Sequence, residues 1–105
     1  MNEQRILSLA GLSAKAGKAL SGEFQCEEAV RSRKAHLVLI ASDSSGNTRK
    51  KFVDKCAFYH IPCMILEADK AKLGHAVGKE ERACVALMDK GLADSALENP
   101  GKKPE

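Results

Sequence analysis

Two uninterrupted runs of apolar residues constrain the fold of this chain more than any other feature of its sequence. Residues 37–41 read Leu-Val-Leu-Ile-Ala, and residues 83–88 read Ala-Cys-Val-Ala-Leu-Met. Neither run alternates apolar with polar residues, so each is typical of a strand covered on both faces. Both are far shorter than the ~20 residues that a membrane-spanning helix needs, and no secretory signal is visible. We therefore expect a cytoplasmic protein with no membrane partner.

Segments with helical periodicity lie between the predicted strands. Apolar residues recur at intervals of three and four in residues 3–16, which predicts an amphipathic helix. The other predicted elements are helices over 23–32, 47–59, 69–77 and about 92–97, and shorter strands over 18–21 and 63–66. This alternation of helices and strands predicts an α/β fold, a three-layer α/β/α sandwich with a mixed four-stranded sheet.

The chain is short enough for one domain. Its 105 residues, of which 44% are hydrophobic, can form a single packed core without disulfides or metals. Residues 99–105 contain two prolines, a glycine and two lysines. We predict one domain over residues 1–98, which we expect to be a monomer, and a disordered tail over residues 99–105.

The cysteines and histidines show no metal-ligand pattern. The four cysteines are scattered without a C-x-x-C pair, although zinc sites and disulfide frameworks prefer tighter, repeated spacings. We predict four reduced, buried thiols at Cys26, Cys56, Cys63 and Cys84. The histidines, which we interpret as structural or solvated, are His36, His60 and His75. No metal and no cofactor is predicted.

No segment carries a recognisable catalytic constellation. Asp43, Ser44 and Ser45 follow a buried strand, where ligands often bind in open α/β sheets. The same residue types also cap helices, and we interpret this loop as a helix start. Cys63 has no basic neighbour in sequence that would lower the pKa of its thiol. We therefore predict that the protein is not an enzyme.

Basic residues are concentrated in the first half of the chain. The formal net charge is +3, and Lys and Arg outnumber Asp and Glu by 10 to 6 through residue 55. Gly22 separates a short strand from a helix, and the free N–H groups of a helix N-terminus bind anions. Cations that flank this junction predict phosphate binding there, and they are Lys15, Lys18, Arg31 and Lys34. We interpret Lys50, Lys51 and Lys55 as ordinary solvated surface.

Several segments together resemble the L7Ae-type ribosomal protein family, which binds kink-turn RNA. The likeness spans about residues 4–98, and within the family the chain is similar to the small bacterial members called YlxQ-like. The segments that carry it are Ser21-Gly22, residues 34–43 (KAHLVLIASD), Lys55-Cys56 before Ile61-Pro62, residues 73–79 (LGHAVGK) and the last apolar strand. The resemblance implies a three-layer α/β/α fold, a ribonucleoprotein function and structured RNA as partner. Ribosomal RNA and the ribosome itself are candidates.

The resemblance also implies two RNA-contacting elements. In the family, the turn that opens the second helix reads tandem sheared G·A pairs, and a loop before the last strand covers an extruded base. The first element corresponds here to Lys18, Ser21, Gly22, Glu23, Phe24 and Gln25. The second corresponds to residues 78–83, which include Lys79 and Arg82.

The first element departs from the family pattern. The family typically has Asn, Glu and Lys where this chain has Phe24, Gln25 and Glu28. Phe24 cannot hydrogen-bond a guanine edge, so it either stacks on a base or joins the core, and we expect the core. Gln25 keeps donor and acceptor capacity, whereas Glu28 places an anion near phosphate.

Two functions therefore stay open at the level of the sequence. The first is non-catalytic binding of structured RNA, most simply of a kink-turn-like motif, through the helix start at Gly22 and the loop before the last strand. The second is a protein–protein adaptor on the same scaffold that has lost kink-turn specificity. An adaptor needs a contiguous exposed apolar patch, which monomers rarely leave uncovered.

Overall fold

A computed structural model describes residues 3–98, and the predicted tail over 99–105 lies outside them. The elements of this segment are, in chain order, α1 (Glu3–Lys15), β1 (Ala19–Ser21), α2 (Glu23–Arg31), β2 (Leu37–Ile40), α3 (Gly46–Tyr59), β3 (Cys63–Ile65), α4 (Lys70–Ala76), β4 (Cys84–Leu87) and α5 (Lys90–Leu97). The predicted elements are confirmed in order and type, with small differences at their ends, where helices fray.

The four strands form one mixed sheet in the order β1-β4-β2-β3. β4 pairs antiparallel with both β1 and β2, whereas β2 and β3 are parallel and are joined by the crossover helix α3. The two apolar runs thus form the two central strands. Every residue of β2 and β4 is buried, because helices cover both faces of the sheet.

Two hydrophobic clusters lie on opposite faces of the sheet and make it the middle of three layers. The first joins α1, α4 and α5 to alternate strand residues such as Leu39 and Val85. The second joins α2 and α3 to the intervening residues, such as Ile40 and Ala86. Successive strand residues face opposite sides, so each strand supplies both clusters. The predicted α/β/α sandwich is confirmed.

The cysteines are buried in the second of these clusters. Cys26, Cys56, Cys63 and Cys84 are all free and all buried, as the sequence predicted. Hydrogen bonding to Cys84, together with burial, raises the pKa of the Cys26 thiol, which keeps it protonated. A hydrogen bond from Cys63 lowers the pKa of Cys56 despite its burial. These thiols fill core volume beneath α2 and α3.

Polar side chains fix the ends of several helices. The buried carboxylate of Glu3 accepts hydrogen bonds from the backbone N–H groups of Glu67 and Ala68, at 2.8 and 2.9 Å. These bonds fix the start of α1 against the segment that follows β3. Asp69 caps α4 by accepting from the N–H of Lys72, and Asp89 caps α5 by accepting from that of Leu92.

The described helices are all too short or too polar to cross a membrane. Residues 3–98 also contain no group of three or more His, Cys, Asp or Glu side chains placed to hold a metal ion.

Candidate functional site

The start of α2 lies beside the loop that precedes β4. Ser21 at the end of β1 pairs with Val85 of β4, and the N–H of Gly22 donates to the carbonyl of Cys84 at 3.1 Å. The antiparallel pairing of β1 with β4 therefore brings the two predicted RNA-contacting elements to the same edge of the sheet. We call this surface, formed by residues 21–25 and 78–82, the α2–loop surface.

Arg82 joins the two halves of the α2–loop surface. Its Nε donates to the hydroxyl of Ser21 at 3.1 Å, and its Nη1 donates to the carbonyl of Glu81 at 2.8 Å. The side chain is partly buried, which restricts its motion, yet its guanidinium keeps further donors. The sequence singled out both Arg82 and Ser21, and the structure links them across 61 positions of chain.

A glycine begins α2 where other helices of the chain begin with a capping side chain. Gly22 adopts φ 94° and ψ 156°, a conformation that side chains disfavour, and no side chain caps the helix. The first hydrogen bond within the helix runs from the N–H of Cys26 to the carbonyl of Gly22. The N–H groups of residues 23–25 therefore have no partner within the helix, and the helix dipole makes this end attractive to an anion.

Phe24 is exposed, so the expectation that it joins the core is wrong. Its side chain is 72% exposed in the first turn of α2, and Gln25 beside it is exposed as well. The buried face of this helix consists instead of Cys26, Ala29 and Val30. Cys26, Ala29 and Val30 follow Phe24 by two, five and six positions, and this spacing places them on the opposite side of the helix from Phe24.

The acidic residues of α2 are neutralised by neighbouring side chains. Glu23 accepts from the hydroxyl of Thr48 at 3.2 Å and from Lys51 Nζ at 3.1 Å. Lys51 and Lys55 also pair with Glu27, at 3.6 and 3.5 Å. The hydrogen bond to Glu23 raises the pKa of Lys51, so this cation is retained.

This pairing corrects the interpretation of Lys51 and Lys55 as ordinary solvated surface, because both are only about one-third exposed. Lys50 fits that interpretation, since it is 77% exposed and pairs with Asp54 of its own helix. On α2 itself, Glu28 pairs with Arg31. The anion that departs from the family pattern therefore has a cationic neighbour.

A glycine in α4 sets the position of the loop before β4. A Cβ on Gly74 would lie 1.6 Å from the carbonyl oxygen of Glu80, so only glycine lets the loop approach the helix this closely. The loop is held further by the N–H of Arg82, which donates to the carbonyl of Lys70 at 3.1 Å. Ser44 fixes the end of the loop by donating its hydroxyl hydrogen to the carbonyl of Ala83 at 2.9 Å.

The predicted cations do not all lie at the α2–loop surface. Lys79 is exposed within the loop, and Lys15 lines a small cavity of about 180 Å³ together with Gly78. Lys18 precedes the other end of β1, since its carbonyl accepts from Met88 beyond β4. Arg31 and Lys34 lie at or beyond the C-terminal end of α2, about one helix length from Gly22.

The loop after β2 performs the capping role that the sequence predicted. The Ser45 hydroxyl accepts from the N–H of Thr48 at 3.1 Å and begins α3. Asp43 accepts from the N–H of Lys70 at 2.8 Å, which ties this loop to the start of α4. No sequence pattern predicts the contacts of Thr48 and Lys51 with Glu23, because these residues lie on different helices, 25 and 28 positions apart.

One family model and two proteins of related sequence match most of the chain. A model of the ribosomal protein L7Ae/L30e/S12e/Gadd45 family matches residues 4–97. RNA-binding protein YlxQ of Bacillus subtilis (strain 168) is 42% identical over 97 residues, which are 92% of this chain and 96% of that protein. RNA-binding protein YlxQ of Enterococcus faecium is 36% identical over 97 residues, 92% of each chain.

Two solved structures share the architecture. A protein of unknown function from Bacillus halodurans C superposes with a TM-score of 0.82 at 39% identity, covering 86% of this chain and 90% of that one. The 15.5kD RNA binding protein of Giardia lamblia also superposes with a TM-score of 0.82, covering 90% and 83%. At 19% identity, this second likeness is one of fold.

Proposed function

This chain belongs to the ribosomal protein L7Ae/L30e/S12e/Gadd45 family, and from that membership we propose that it binds structured RNA without catalysing a reaction. The RNA we propose is a kink-turn-like motif, with ribosomal RNA and the ribosome as candidate sources. One observation carries the proposal: Arg82 bonds to Ser21 beside a helix start that no side chain caps. Both elements that the family resemblance assigns to RNA contact therefore belong to one surface.

The proposed contact with phosphate uses the start of α2. Unpaired N–H groups of residues 23–25 donate to a phosphate oxygen, and the helix dipole adds to the attraction. Arg82 supplies a guanidinium at the other side of the same phosphate, held in place by Ser21. Exposed Lys79 adds charge from the loop. These contacts position the RNA and carry little sequence information.

The proposed contact with bases uses Phe24 and Gln25. An exposed aromatic ring stacks on an unpaired or sheared base, and the Gln25 amide offers a donor and an acceptor to its edge. Together they stand where the family typically has Asn and Glu. Glu23 does not repel the RNA strongly, because Thr48 and Lys51 bind its carboxylate.

A fluorescence anisotropy titration tests the proposal. The probe is a labelled kink-turn RNA, and its control is the same RNA with the sheared G·A pairs replaced by Watson–Crick pairs. We expect tighter binding to the intact kink-turn at both of two salt concentrations, with affinity for each RNA falling as salt rises. Equal affinities that vanish together at the higher salt would contradict recognition of the bend.

Two lysine variants separate a specific surface from bulk charge. Lys79→Glu reverses a charge in the loop, whereas Lys50→Glu makes the same change at an exposed position of α3 that is not part of the α2–loop surface. We expect Lys79→Glu to weaken kink-turn binding clearly more than Lys50→Glu. Equal losses would show that the net charge, and not the α2–loop surface, attracts the RNA.

The second candidate function is the protein adaptor, and one surface favours it. A groove of about 730 Å³ runs between α1 and α4, where Leu12 is 53% exposed beside Leu7 and Gly11. The rim carries Lys15, Lys72 and His75, so the groove suits an amphipathic helix with an acidic face. If the anisotropy titration shows no preference for the kink-turn, this function becomes the leading one. Loss of partner binding on Leu12→Asp would then test it.

A further inference from the structure

An exposed aromatic and basic cluster lies at the far end of the α2–α3 layer from Gly22. We call it the Phe58 patch, and it consists of Arg33, Lys34, Phe58, Tyr59 and His60. The two rings Phe58 and Tyr59 meet edge to face with centroids 4.9 Å apart, and the Arg33 guanidinium lies 5.7 Å from the centroid of Tyr59. The α2–loop surface uses none of these residues.

Parallel packing of α2 and α3 creates the patch. The ion pairs between Lys51 and Glu23 and between Lys55 and Glu27 show that the two helices run side by side in the same direction. Their C-terminal ends therefore meet, and the residues beyond α2 come to lie against the last turn of α3. Both helix exits turn sharply, because Arg33 and His60 adopt positive φ values of 61° and 60°.

Phe58 contributes little to the core of the fold. Its side chain is 73% exposed, whereas its neighbour Tyr59 is partly buried and packs on the cluster beneath α2 and α3. Tyr59 thus fixes the end of α3, while the ring of Phe58 projects into solvent. An exposed ring next to cations is a surface on which a planar group can stack.

The segments that form the Phe58 patch carry no acidic residue, and Asp54, one turn before Phe58 on α3, is paired with Lys50. Residues 31–36 and 57–61 contain no Asp or Glu. None of the ion pairs found within residues 3–98 involves Arg33 or Lys34. Both cations therefore remain available to an anion, whereas Arg31 at the end of α2 is paired with Glu28.

We propose that the Phe58 patch is a second RNA contact, which stacks an unpaired base on Phe58 and holds the adjoining phosphates with Arg33 and Lys34. An aromatic ring flanked by cations is the arrangement that binds single-stranded nucleic acid. The proposal rests on the proposed function, because it takes RNA as the ligand. It adds that the bound RNA carries a single-stranded segment beside its folded motif.

The position of the patch makes it a contact separate from the α2–loop surface. The nine residues of α2 span about 14 Å between the two sites. Glu27 and Glu28 lie on the helix between them, and each is paired with a neighbouring cation, so this stretch offers no unpaired positive charge to the phosphates. Single-stranded RNA bound at the Phe58 patch therefore lies beside the motif bound at Gly22, and the two contacts are separate.

A tryptophan reporter tests the patch without any kink-turn. The chain contains no tryptophan, so Phe58→Trp introduces a single tryptophan at the proposed stacking position, whose emission can be excited separately from that of Tyr59. Titration with single-stranded oligouridine should quench this fluorescence, and the quenching should weaken with salt. The matched control is Lys50→Trp, at an exposed position of the same helix about 12 Å from Phe58. Equal or absent quenching at the two positions would overturn the proposal and leave the patch to a protein contact.

A second titration separates this proposal from the proposed function. Kink-turn RNA with a single-stranded extension should bind about tenfold more tightly than the same RNA without it, the gain from one stacked base. Phe58→Ala should remove that gain and leave binding of the unextended RNA unchanged, while Phe58→Tyr should retain it. If unextended kink-turn RNA binds and the extension adds nothing, the Phe58 proposal fails. If kink-turn RNA does not bind at all, the proposed function fails, and the oligouridine titration still decides the patch.

Discussion

α2 and α3 both begin directly after a strand or its loop, yet their first turns are completed in different ways. At α3 the hydroxyl of Ser45 accepts from the N–H of Thr48, so the chain satisfies its own helix start. At α2 the equivalent position is Gly22, which has no side chain and a φ of 94°. A side-chain cap occupies an N–H group that could otherwise bind an anion. At the uncapped start beside Arg82, the N–H groups of the first turn stay available to a ligand.

The two starts are also connected. The Thr48 hydroxyl accepts a hydrogen bond from that of Ser45 at 3.0 Å and donates one to the carboxylate of Glu23 in the first turn of α2. The capped start therefore also binds the carboxylate of Glu23, the first residue of α2. In the proposed site, α3 therefore holds the acidic side chain of α2, while the start of α2 carries the N–H groups that contact the RNA.

The largest effect is expected for a methyl group at the open start. Gly22→Ala meets no neighbouring atom, but its positive φ should cost about 1–3 kcal/mol of unfolding free energy. Kink-turn affinity should fall about tenfold or more as the N–H donors turn away from the phosphate, because charge-assisted hydrogen bonds are worth about 1.5–3 kcal/mol each. Denaturant unfolding and anisotropy measure the two losses.

The matched control is the same substitution at the capped start. Gly46→Ala adds its methyl group to open space in the first turn of α3. Gly46 has no positive φ, so the substitution causes no backbone strain. It should leave RNA binding unchanged and keep or raise stability, by about 0.4–1 kcal/mol at most. Equal losses of binding in both variants would remove the distinction between the two helix starts.

The next largest effect is expected at the residue that joins the two halves of the site. Arg82→Ala removes the bond to Ser21 and the guanidinium beside the helix start. Kink-turn affinity should fall about tenfold, the value of a charged hydrogen bond, with only a small loss of stability. Unchanged affinity in an anisotropy titration would show that the loop before β4 does not take part in binding.

Removing the cap of α3 should have the opposite pattern. Ser45→Ala leaves the N–H of Thr48 without its acceptor and should lower the unfolding free energy by about 1 kcal/mol, the usual cost of a lost N-cap. RNA affinity should not change, because Glu23 keeps its bond from Lys51. A loss of affinity comparable to that of Arg82→Ala would mean that both helix starts contact RNA.

The smallest effect is expected at the cation that holds Glu23. Lys51→Ala leaves Glu23 with only its bond from Thr48 and should weaken kink-turn binding a few-fold, since partly exposed pairs contribute about 0.2–1 kcal/mol. The difference from the unchanged protein should shrink at higher salt, which screens the released charge. A loss that does not depend on salt would indicate a structural change and not an electrostatic one.

The sequence predicted the start of α3 correctly but not the exposure of Phe24 at the start of α2. The capping role of Ser45 follows from its residue type at the end of a buried strand, and the structure confirms it. The role of Phe24 was mispredicted, because burial was assigned from residue size. On a nine-residue helix, position on the face decides burial, and the face toward the sheet is filled by the smaller side chains of Cys26, Ala29 and Val30.

The cations show why a basic sequence segment does not define a site. Lys18 and Arg31 lie within ten positions of Gly22, but a strand and a helix carry them away from it. Arg82 is 60 positions away and lies directly beside Gly22 through the pairing of β1 with β4. Residues separated along one helix or strand are also separated in space, whereas strand pairing brings residues together that are far apart in the sequence.

Local sequence patterns were enough to predict the order of helices and strands, the two buried central strands and the four core thiols, because hydrophobic periodicity and backbone preferences act locally. Which residues share a surface depends on how the elements pack. Arg82 with Ser21, Lys51 with Glu23 and Arg33 with Tyr59 are each brought together by sheet order and helix packing. These contacts depend on how separate elements meet, and no single stretch of sequence contains that information.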